Sequence, residues 1–338
     1  MIDLRSDTIT KPTEAMRKAM YEAEVGDDVY NEDPTISQLE ELAADLLGKE
    51  KALFVTSGTQ GNQIAVLSHC VPGNEVLLEK DSHIFYYEGG AISAFAGVQT
   101  RTISSINGAM DSADVQSAIR GNDIHEPETG LICLENTHNR AGGAIVPISN
   151  MEAIFNVATK AHVPIHLDGA RLFNAAVAEG KTVKEFTQFT STVQICLSKG
   201  LGAPVGSIIA GSHEFITKAR KWRKRLGGGL RQAGVLAAPG IIALTEMVDR
   251  LAVDHQHAQH FAEGVKNITG ISVINAVDTN IVLVDTTAKG ITSKEYIERL
   301  KEEGILAVSF GPTTVRFTTH YDVTKEQIEQ ALVALQKI

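Results

Sequence analysis

The stretch Val193-Gln194-Ile195-Cys196-Leu197-Ser198-Lys199-Gly200-Leu201-Gly202 decides the fold of this chain. Four of its first five residues are apolar, which is typical of a strand buried in a sheet, and Ser198 and Lys199 follow at the carboxyl end. In open α/β sheets ligands bind at this end of a strand, and the glycines let the backbone turn sharply there. A lysine partly removed from water is a nucleophile suited to a Schiff base, although the motif alone also fits a lysine that extends into solvent.

The composition of the 338 residues is that of a soluble globular enzyme, with 43% hydrophobic and 21% charged residues and enough length for two domains. The formal net charge of −10 argues against nucleic acid as a partner. The 3 cysteines are odd in number and lie in apolar runs, which favours a reducing compartment. No apolar run is long enough to span a membrane and no signal-peptide pattern begins the chain, so we expect a cytoplasmic protein that binds neither membrane nor nucleic acid.

Strand and helix patterns alternate along most of the chain. A strand pattern over residues 52–56 leads through the turn Ser57-Gly58-Thr59 into a helix, and another over residues 163–167 ends at Asp168. We expect residues 206–210 to form an antiparallel strand, because the link that precedes them is too short for a helical crossover. The alternation predicts a mainly parallel mixed sheet flanked by helices, with ligand groups at the strand ends.

The C-terminal part of the chain has a different pattern. One long helical pattern covers residues 241–265, and shorter strand and helix patterns follow Gly270, which predicts a small C-terminal α/β domain. The histidines of the long helical pattern have no carboxylate at ligand spacing, so we expect no metal site. The predicted division is an N-terminal arm, a large domain and a small C-terminal domain: residues 1–12, 13–245 and 246–338.

A basic segment covers residues 218–225 and is followed by Gly227-Gly228-Gly229 and Arg231. Its charge pattern alone fits a solvent-exposed helix face, and the single tryptophan gives no stacking platform for nucleic acid. An acidic protein has little reason to display such a segment unless the segment meets an anion.

Three strand ends supply complementary chemistry. The turn Ser57-Gly58-Thr59 at a helix N-terminus presents backbone N–H groups to an anion, Asp168 presents a carboxylate, and Lys199 presents an amine. Pyridoxal phosphate needs these three groups for its phosphate, its pyridine nitrogen and its aldehyde. Further candidates are a histidine to stack on the ring and two arginines to grip a substrate carboxylate: His83, Arg171 and Arg316.

Seven short stretches, spread in order over nearly the whole chain, carry a family resemblance: Asp3-Leu4-Arg5-Ser6-Asp7-Thr8, Gly26-Asp27-Asp28-Val29-Tyr30, Ser57-Gly58-Thr59, Leu134-Glu135-Asn136-Thr137-His138-Asn139, His166-Leu167-Asp168-Gly169-Ala170-Arg171, Ser198-Lys199-Gly200-Leu201 and Val315-Arg316-Phe317. In these stretches the chain resembles the low-specificity L-threonine aldolases, which are pyridoxal phosphate enzymes. The resemblance implies the aspartate aminotransferase-like fold (fold type I), with a large domain around a mainly parallel mixed sheet and a small C-terminal α/β domain.

The resemblance also implies a role for each matched residue. Lys199 would carry the cofactor, Asp168 would meet the pyridine nitrogen, and His83 would lie on the cofactor ring. The cofactor phosphate would be bound by Gly58, Thr59 and Ser198, and by Lys224 and Arg231 of a neighbouring subunit. The substrate carboxylate would be bound by Ser6, Arg171 and Arg316, and Arg171 would also lie beside the cofactor. The substrate hydroxyl would lie near His83 and His125.

We therefore expect retro-aldol cleavage of the β-hydroxy amino acids L-threonine and L-allo-threonine to glycine and acetaldehyde, by a homotetramer (a dimer of dimers) whose subunits share active sites. The base that removes the hydroxyl proton stays open between His83, His125 and a bound water. The alternative enzyme is another fold type I pyridoxal phosphate enzyme, a β-eliminating lyase or an aminotransferase, acting on a small amino acid. A non-catalytic pyridoxal phosphate sensor is disfavoured, because no winged-helix domain precedes Asp3.

Overall fold

The structure is a computed structural model that describes residues 1–121 and 123–338. Its strands are β1 (Ile2–Asp3), β2 (Lys51–Val55), β3 (Glu75–Glu79), β4 (Gln99–Ile103), β5 (Ser105–Ile106), β6 (Ala109–Met110), β7 (Thr129–Glu135), β8 (Ile165–Asp168), β9 (Thr192–Cys196), β10 (Ser207–Gly211), β11 (Ser272–Val273), β12 (Ile281–Asp285), β13 (Ile305–Leu306), β14 (Val308–Ser309) and β15 (Thr314–Thr318). Its α-helices are α1 (Glu14–Glu22), α2 (Pro34–Leu47), α3 (Gly58–His69), α4 (His83–Tyr86), α5 (Ala91–Ala96), α6 (Ser112–Ala118), α7 (Ile148–Ala161), α8 (Leu172–Glu179), α9 (Val183–Thr187), α10 (His213–Arg225), α11 (Gly234–Glu246), α12 (Leu251–Val265), α13 (Ser293–Glu302) and α14 (Lys325–Gln336).

A 7-stranded sheet in the order β2-β10-β9-β8-β7-β3-β4 forms the centre of the large domain. Strands β4, β3, β7, β8 and β9 pair in parallel. Strand β10 pairs antiparallel with β9 and β2, which confirms the predicted antiparallel strand. The mainly parallel mixed sheet is thus confirmed. The parallel strands all end at one edge of the sheet, where ligands bind in open α/β folds.

Strand β9 is buried over its whole length because neighbours cover it on both sides. Val193 and Ile195 are fully buried in the main hydrophobic core, which the sheet shares with the helices on its faces. Gln194 is fully buried as well, although it is polar. A strand that is apolar on both faces is stable inside the sheet, where strands flank it and helices cover it. The residues that follow β9 therefore lie at the edge of the sheet where the parallel strands end.

The link from β9 to β10 is a tight loop that depends on Gly206. Its φ of 101° is in the region that favours glycine, and a Cβ atom there would lie 2.4 Å from the Phe54 ring. The Leu197 amide donates to the Gly206 carbonyl at 3.1 Å and so closes the loop. The residues between them, which include Lys199, are held in one conformation beside the sheet edge.

The small domain has a second hydrophobic core. Its 4-stranded sheet has the order β11-β12-β15-β14 with antiparallel pairing throughout. Ile2 and Leu4 from the N-terminal arm belong to this core, and β1 pairs in parallel with β13. The arm therefore crosses from the small domain towards the large one, and the residues that follow Leu4 lie between the two.

The predicted single helix over residues 241–265 is wrong, because α11 ends at Glu246 and α12 begins at Leu251. Leu251 packs in the main core, whereas Ala258 packs in the small-domain core. The chain changes direction between the helices so that each core is covered, and no glycine or proline marks this break in the sequence.

The division of the chain at residues 12 and 245 stays a prediction. Among the helices of the described residues, none combines the length and apolarity needed to cross a membrane.

Candidate active site

One cavity of about 270 Å³ contains five of the residues predicted for the site: Ser6, His83, Arg171, Lys199 and Arg316. They come from the N-terminal arm, the large domain and the small domain, so the cavity exists only where these parts meet. Tyr87, Asn139 and Phe310 line the same cavity and were not predicted from the sequence.

Lys199 is anchored through its backbone. Its carbonyl oxygen accepts hydrogen bonds from the Thr10 hydroxyl at 2.9 Å and from the Gly202 amide at 2.9 Å. These contacts tie the loop after β9 to the N-terminal arm, while the side chain lines the cavity. The amine is thereby presented to the cavity from a rigid element, as a covalent attachment point requires.

Asp168, the last residue of β8, is a buried carboxylate that forms no ion pair with another described residue. Its Oδ2 accepts from the Asn62 amide at 2.8 Å, and its Oδ1 accepts from the Ala170 backbone at 3.1 Å. Within residues 1–121 and 123–338, no lysine, arginine or histidine nitrogen forms an ion pair with it. A carboxylate that is only 2% exposed is costly unless a positive charge reaches it. A protonated ring nitrogen would supply that charge.

The N-terminus of α3 follows β2 at the same edge of the sheet. The Ser57 hydroxyl caps the helix by accepting from the Gln60 amide at 3.1 Å. The amides of Gly58 and Thr59 lie in the first turn, where a helix offers no acceptors, and they are available to an anion. A Cβ atom on Gly58 would lie 2.9 Å from the Cys196 sulfur, so the helix end packs directly against β9.

Arg171 is paired with Asp7 from the N-terminal arm. Its Nε and Nη2 donate to the two carboxylate oxygens of Asp7 at 2.7 Å each, and both side chains are buried. Burial alone would raise the pKa of Asp7, but the charge and hydrogen bonds of Arg171 and the charge of Lys199 hold it well below its usual range. Asp7 therefore neutralises Arg171 inside the cavity wall.

Arg316 has no such acidic partner among the described residues. Its Nη1 donates to the Asn139 side chain at 2.9 Å and its Nη2 to the Arg5 carbonyl at 3.1 Å, and both acceptors are neutral. Its Nε is buried with no acceptor among the described residues. Burial and the neighbouring charge of Arg171 lower the pKa of Arg316 to about 10, which still leaves it protonated at neutral pH. Arg316 is thus a partly buried cation that lacks an anionic partner among the described residues.

His83 lines the cavity at the start of α4 and contacts Glu88 behind it, with 3.1 Å between Nδ1 and the carboxylate. Burial alone would lower the pKa of His83, but the hydrogen bond that its Nδ1 donates to Glu88 and the charge of Asp168 raise it. The ligand atoms of His83, Glu88 and Asp168 lie within 4.8 Å of one another, a spacing that would also allow a metal ion. Both carboxylates already accept side-chain amide donors, which suits hydrogen bonding to a ring better than metal coordination.

Seven predicted site residues do not line this cavity: Gly58, Thr59, Asp168 and Ser198 lie at strand ends on the same sheet edge, whereas His125, Lys224 and Arg231 do not. The His125 side chain is 82% exposed and contacts Asp123, so the chain by itself does not bring it to His83. Lys224 lines a different surface cavity of about 570 Å³. Arg231 pairs with Asp27 at 2.9 Å. The roles implied for Lys224 and Arg231 need a second subunit and stay predictions.

The sequence reasoning assigned no role to four residues that organise the site: Asp7, Asn62, Glu88 and Asn139. A usable signal existed for Asn62, which lies one helical turn after Gly58 and hence on the face of α3 that meets the site. Asp7 and Asn139 stood in two of the stretches that carry the resemblance. Glu88 had no signal in the sequence.

The residues present fit pyridoxal phosphate. Asp168 lacks a positive partner, the first turn of α3 has free N–H donors for a phosphate, and the Lys199 amine lies in the cavity. These are the three groups that the cofactor requires. The role predicted for Arg316 at a substrate carboxylate stays a prediction.

Comparisons with known proteins agree with this donor set. The family model described as beta-eliminating lyase matches residues 3–289. The chain is 45% identical over 343 residues to the low-specificity L-threonine aldolase 1 of Arabidopsis thaliana, covering 99% of this chain and 96% of that protein. It is 41% identical over 331 residues to the low specificity L-threonine aldolase of Escherichia coli K12, covering 98% and 97%. In fold it is similar to the Leishmania major threonine aldolase, with a TM-score of 0.85 at 20% identity, covering 100% and 99% of the two chains.

The fold, the donor set and the family match define a pyridoxal phosphate-dependent lyase with the aspartate aminotransferase-like fold. Within that class, the chain belongs to the low-specificity L-threonine aldolase family.

Replacing Arg316 by lysine tests its role in the site. Arg316→Lys keeps the charge but removes the planar fork that binds a carboxylate through two hydrogen bonds. We expect kcat/KM to fall roughly 10- to 100-fold, since hydrogen bonds to charged groups contribute about 1.5–3 kcal/mol, while the cofactor absorption band is retained. The matched control is Arg299→Lys, which alters an exposed arginine paired with Glu295 and should leave kcat/KM unchanged. Loss of the cofactor from Arg316→Lys would contradict the substrate role and indicate a structural one.

Proposed function

We propose that this protein cleaves L-threonine and L-allo-threonine to glycine and acetaldehyde, as a low-specificity L-threonine aldolase. The observation that carries the proposal is the partly buried Arg316 cation, which has no acidic partner among the described residues and lines one cavity with Lys199. An α-amino acid offers a carboxylate to Arg316 and an amine to the cofactor held at Lys199. The names of the relatives support the same substrate class.

When bound, pyridoxal phosphate supplies an aldehyde that captures amines and a protonated ring that accepts electrons from a bond to Cα. Lys199 would attach the aldehyde through its amine, and Asp168 would keep the ring nitrogen protonated. The amides of Gly58 and Thr59 and the hydroxyl of Ser198 bind the phosphate. The Asn62 amide keeps the Asp168 carboxylate in place through its 2.8 Å hydrogen bond.

The substrate is oriented by its carboxylate. Arg316 binds it, assisted by Ser6 and by the Nη1 group of Arg171 that the bidentate pair with Asp7 leaves free. With its carboxylate and amine both fixed, the substrate can no longer rotate about Cα, so binding decides which remaining bond is cleaved. His83 lies in the same cavity, and its Nε2 is the ring nitrogen available to receive the β-hydroxyl proton, directly or through one water.

The activity is tested by following acetaldehyde. Purified protein with pyridoxal phosphate and L-threonine should release it, detected by coupling to alcohol dehydrogenase and the loss of NADH absorbance. The same assay on L-allo-threonine gives the ratio of kcat/KM values for the two epimers. Lys199→Ala should abolish the signal. Release of pyruvate or ammonia from serine, without acetaldehyde from threonine, would contradict the proposal and favour a β-eliminating lyase.

The proposal extends to the assembly and the compartment. We expect a cytoplasmic homotetramer, a dimer of dimers, in which Lys224 and Arg231 reach the cofactor phosphate of a neighbouring subunit. A phosphate dianion bound only by neutral N–H and hydroxyl groups would gain from a charge-assisted contact. Both cationic residues lie outside the cavity of their own chain, which supports a contribution in trans.

Mixing two inactive variants tests this shared site. Lys199→Ala and Arg231→Ala damage different halves of one site, so a mixed dimer has one site with both lesions and one site intact. After subunit exchange we expect up to about a quarter of wild-type activity, since half of randomly paired dimers are mixed and one of their two sites works. Lys199→Ala mixed with itself is the control. If no activity returns although mixed dimers are proven by mass, Arg231 does not act in trans.

A further inference from the structure

A buried carboxylate with no role in the scheme above lies directly behind His83. The Glu88 side chain is fully buried and accepts three donors. Its Oε1 accepts from the Asn62 side chain at 2.8 Å and faces His83 Nδ1 at 3.1 Å, and its Oε2 accepts from the Gln63 side chain at 2.6 Å. A carboxylate only accepts, so Nδ1 of His83 must carry its hydrogen. In neutral His83 the free lone pair is then on Nε2.

Asn62 connects this carboxylate to Asp168. Each of its two amide hydrogens goes to one carboxylate, at 2.8 Å to Glu88 and at 2.8 Å to Asp168. Its Oδ1 faces His166 Nε2 at 3.0 Å. Burial lowers the pKa of His166 to about 3, so His166 is neutral and Nε2 can be its donor nitrogen. The hydrogen bonds on both ends of Asn62 therefore fix its amide in one orientation.

We infer that Glu88 is a positioning residue with two effects: through Nδ1 it holds the His83 ring so that Nε2 is left for the cavity, and through Asn62 it holds the Asp168 carboxylate. This role rests on the proposed function, in which His83 faces the substrate hydroxyl and Asp168 faces the pyridine nitrogen. Glu88, Asp168 and the Asn62 amide between them form one hydrogen-bonded unit. The His83 ring and the Asp168 carboxylate therefore keep a fixed relative position.

The ionisation of His83 depends on several charged and titratable neighbours. These are Glu88 at Nδ1, Asp168 and Lys199 across the cavity, Tyr87 with ring centroids 5.5 Å apart, and Glu135, which accepts from the His83 backbone amide. Burial and Lys199 favour the neutral imidazole, while Glu88 and Asp168 favour the protonated form. Removing the charge of Glu88 should therefore let His83 lose its proton at a lower pH.

The variant Glu88→Gln keeps the shape of the side chain and removes its charge. The probe is diethyl pyrocarbonate, which acylates only neutral imidazole, and the site is identified by peptide mass spectrometry on the full-length protein. We expect the pH midpoint of His83 acylation to fall by roughly one pH unit. An unchanged midpoint would overturn the inference, and this readout does not depend on catalysis.

A second histidine–glutamate pair in the chain provides the matched control. His260 contacts Glu329 on the surface, where the two side chains are 42% and 54% exposed. Glu329→Gln should leave the acylation curve of His83 and the kinetics unchanged. In Glu88→Gln the acylation curve of His260 should in turn stay as in the wild type.

Holoenzyme kinetics test the positioning effect. For Glu88→Gln we expect kcat to fall about tenfold or more with KM changed less than about threefold, and the acid limb of kcat to move to lower pH. Wild-type kcat in this variant would overturn the inference. So would loss of cofactor absorbance and thermal stability with no shift of the His83 curve, because that pattern shows a purely structural role. If wild-type protein releases no acetaldehyde, the proposed function fails, and the acylation experiment still decides on Glu88.

The variant Glu88→Asp covers the case in which Glu88→Gln does not fold. It keeps the charge but withdraws the carboxylate by one methylene, which lengthens or breaks the contact with Nδ1. We expect a kcat and a His83 acylation midpoint between those of the wild type and a charge-deleted site. Wild-type values for both would overturn the inference.

Discussion

The buried ion pair between Asp7 and Arg171 is the constraint on which the rest of the site depends. It joins the N-terminal arm to the large domain through two hydrogen bonds of 2.7 Å, and Asn280 of the small domain donates to the same carboxylate at 3.2 Å. Removing one partner of such a pair typically costs about 3–5 kcal/mol, because it leaves a buried charge unpaired. The pair therefore holds three parts of the chain together at the point where the cavity forms.

This pairing also sets the charge balance of the cavity. Because Asp7 neutralises Arg171, that arginine adds no net charge to the cavity, whereas Arg316 and Asp168 form no ion pair with any described residue. Unpaired buried charges are expensive, and proteins keep them where a ligand supplies the missing partner. In the proposed function, an amino acid carboxylate would be the partner of Arg316 and a protonated pyridine nitrogen the partner of Asp168.

The sequence predicted the strand ends well because each is a local pattern. The apolar runs of β8 and β9 are followed at once by Asp168 and by Ser198 and Lys199, and parallel strands bring such ends to one edge. It missed Asn62 because α3 is buried on nearly every side, so its polar residues show no solvent-facing pattern. It missed Glu88 because only tertiary packing buries that residue, and it missed the break between α11 and α12 because two separate cores, rather than a glycine or proline, cause it.

The central claim is that the Lys199 amine is the attachment point for the cofactor in the cavity that Arg316 shares. Reduction of the holoenzyme with borohydride tests this most directly, because it makes the bond between cofactor and lysine permanent. The account predicts that the visible absorption band disappears and that peptide mass spectrometry finds the pyridoxyl group on Lys199. A pyridoxyl group on any other lysine would contradict it.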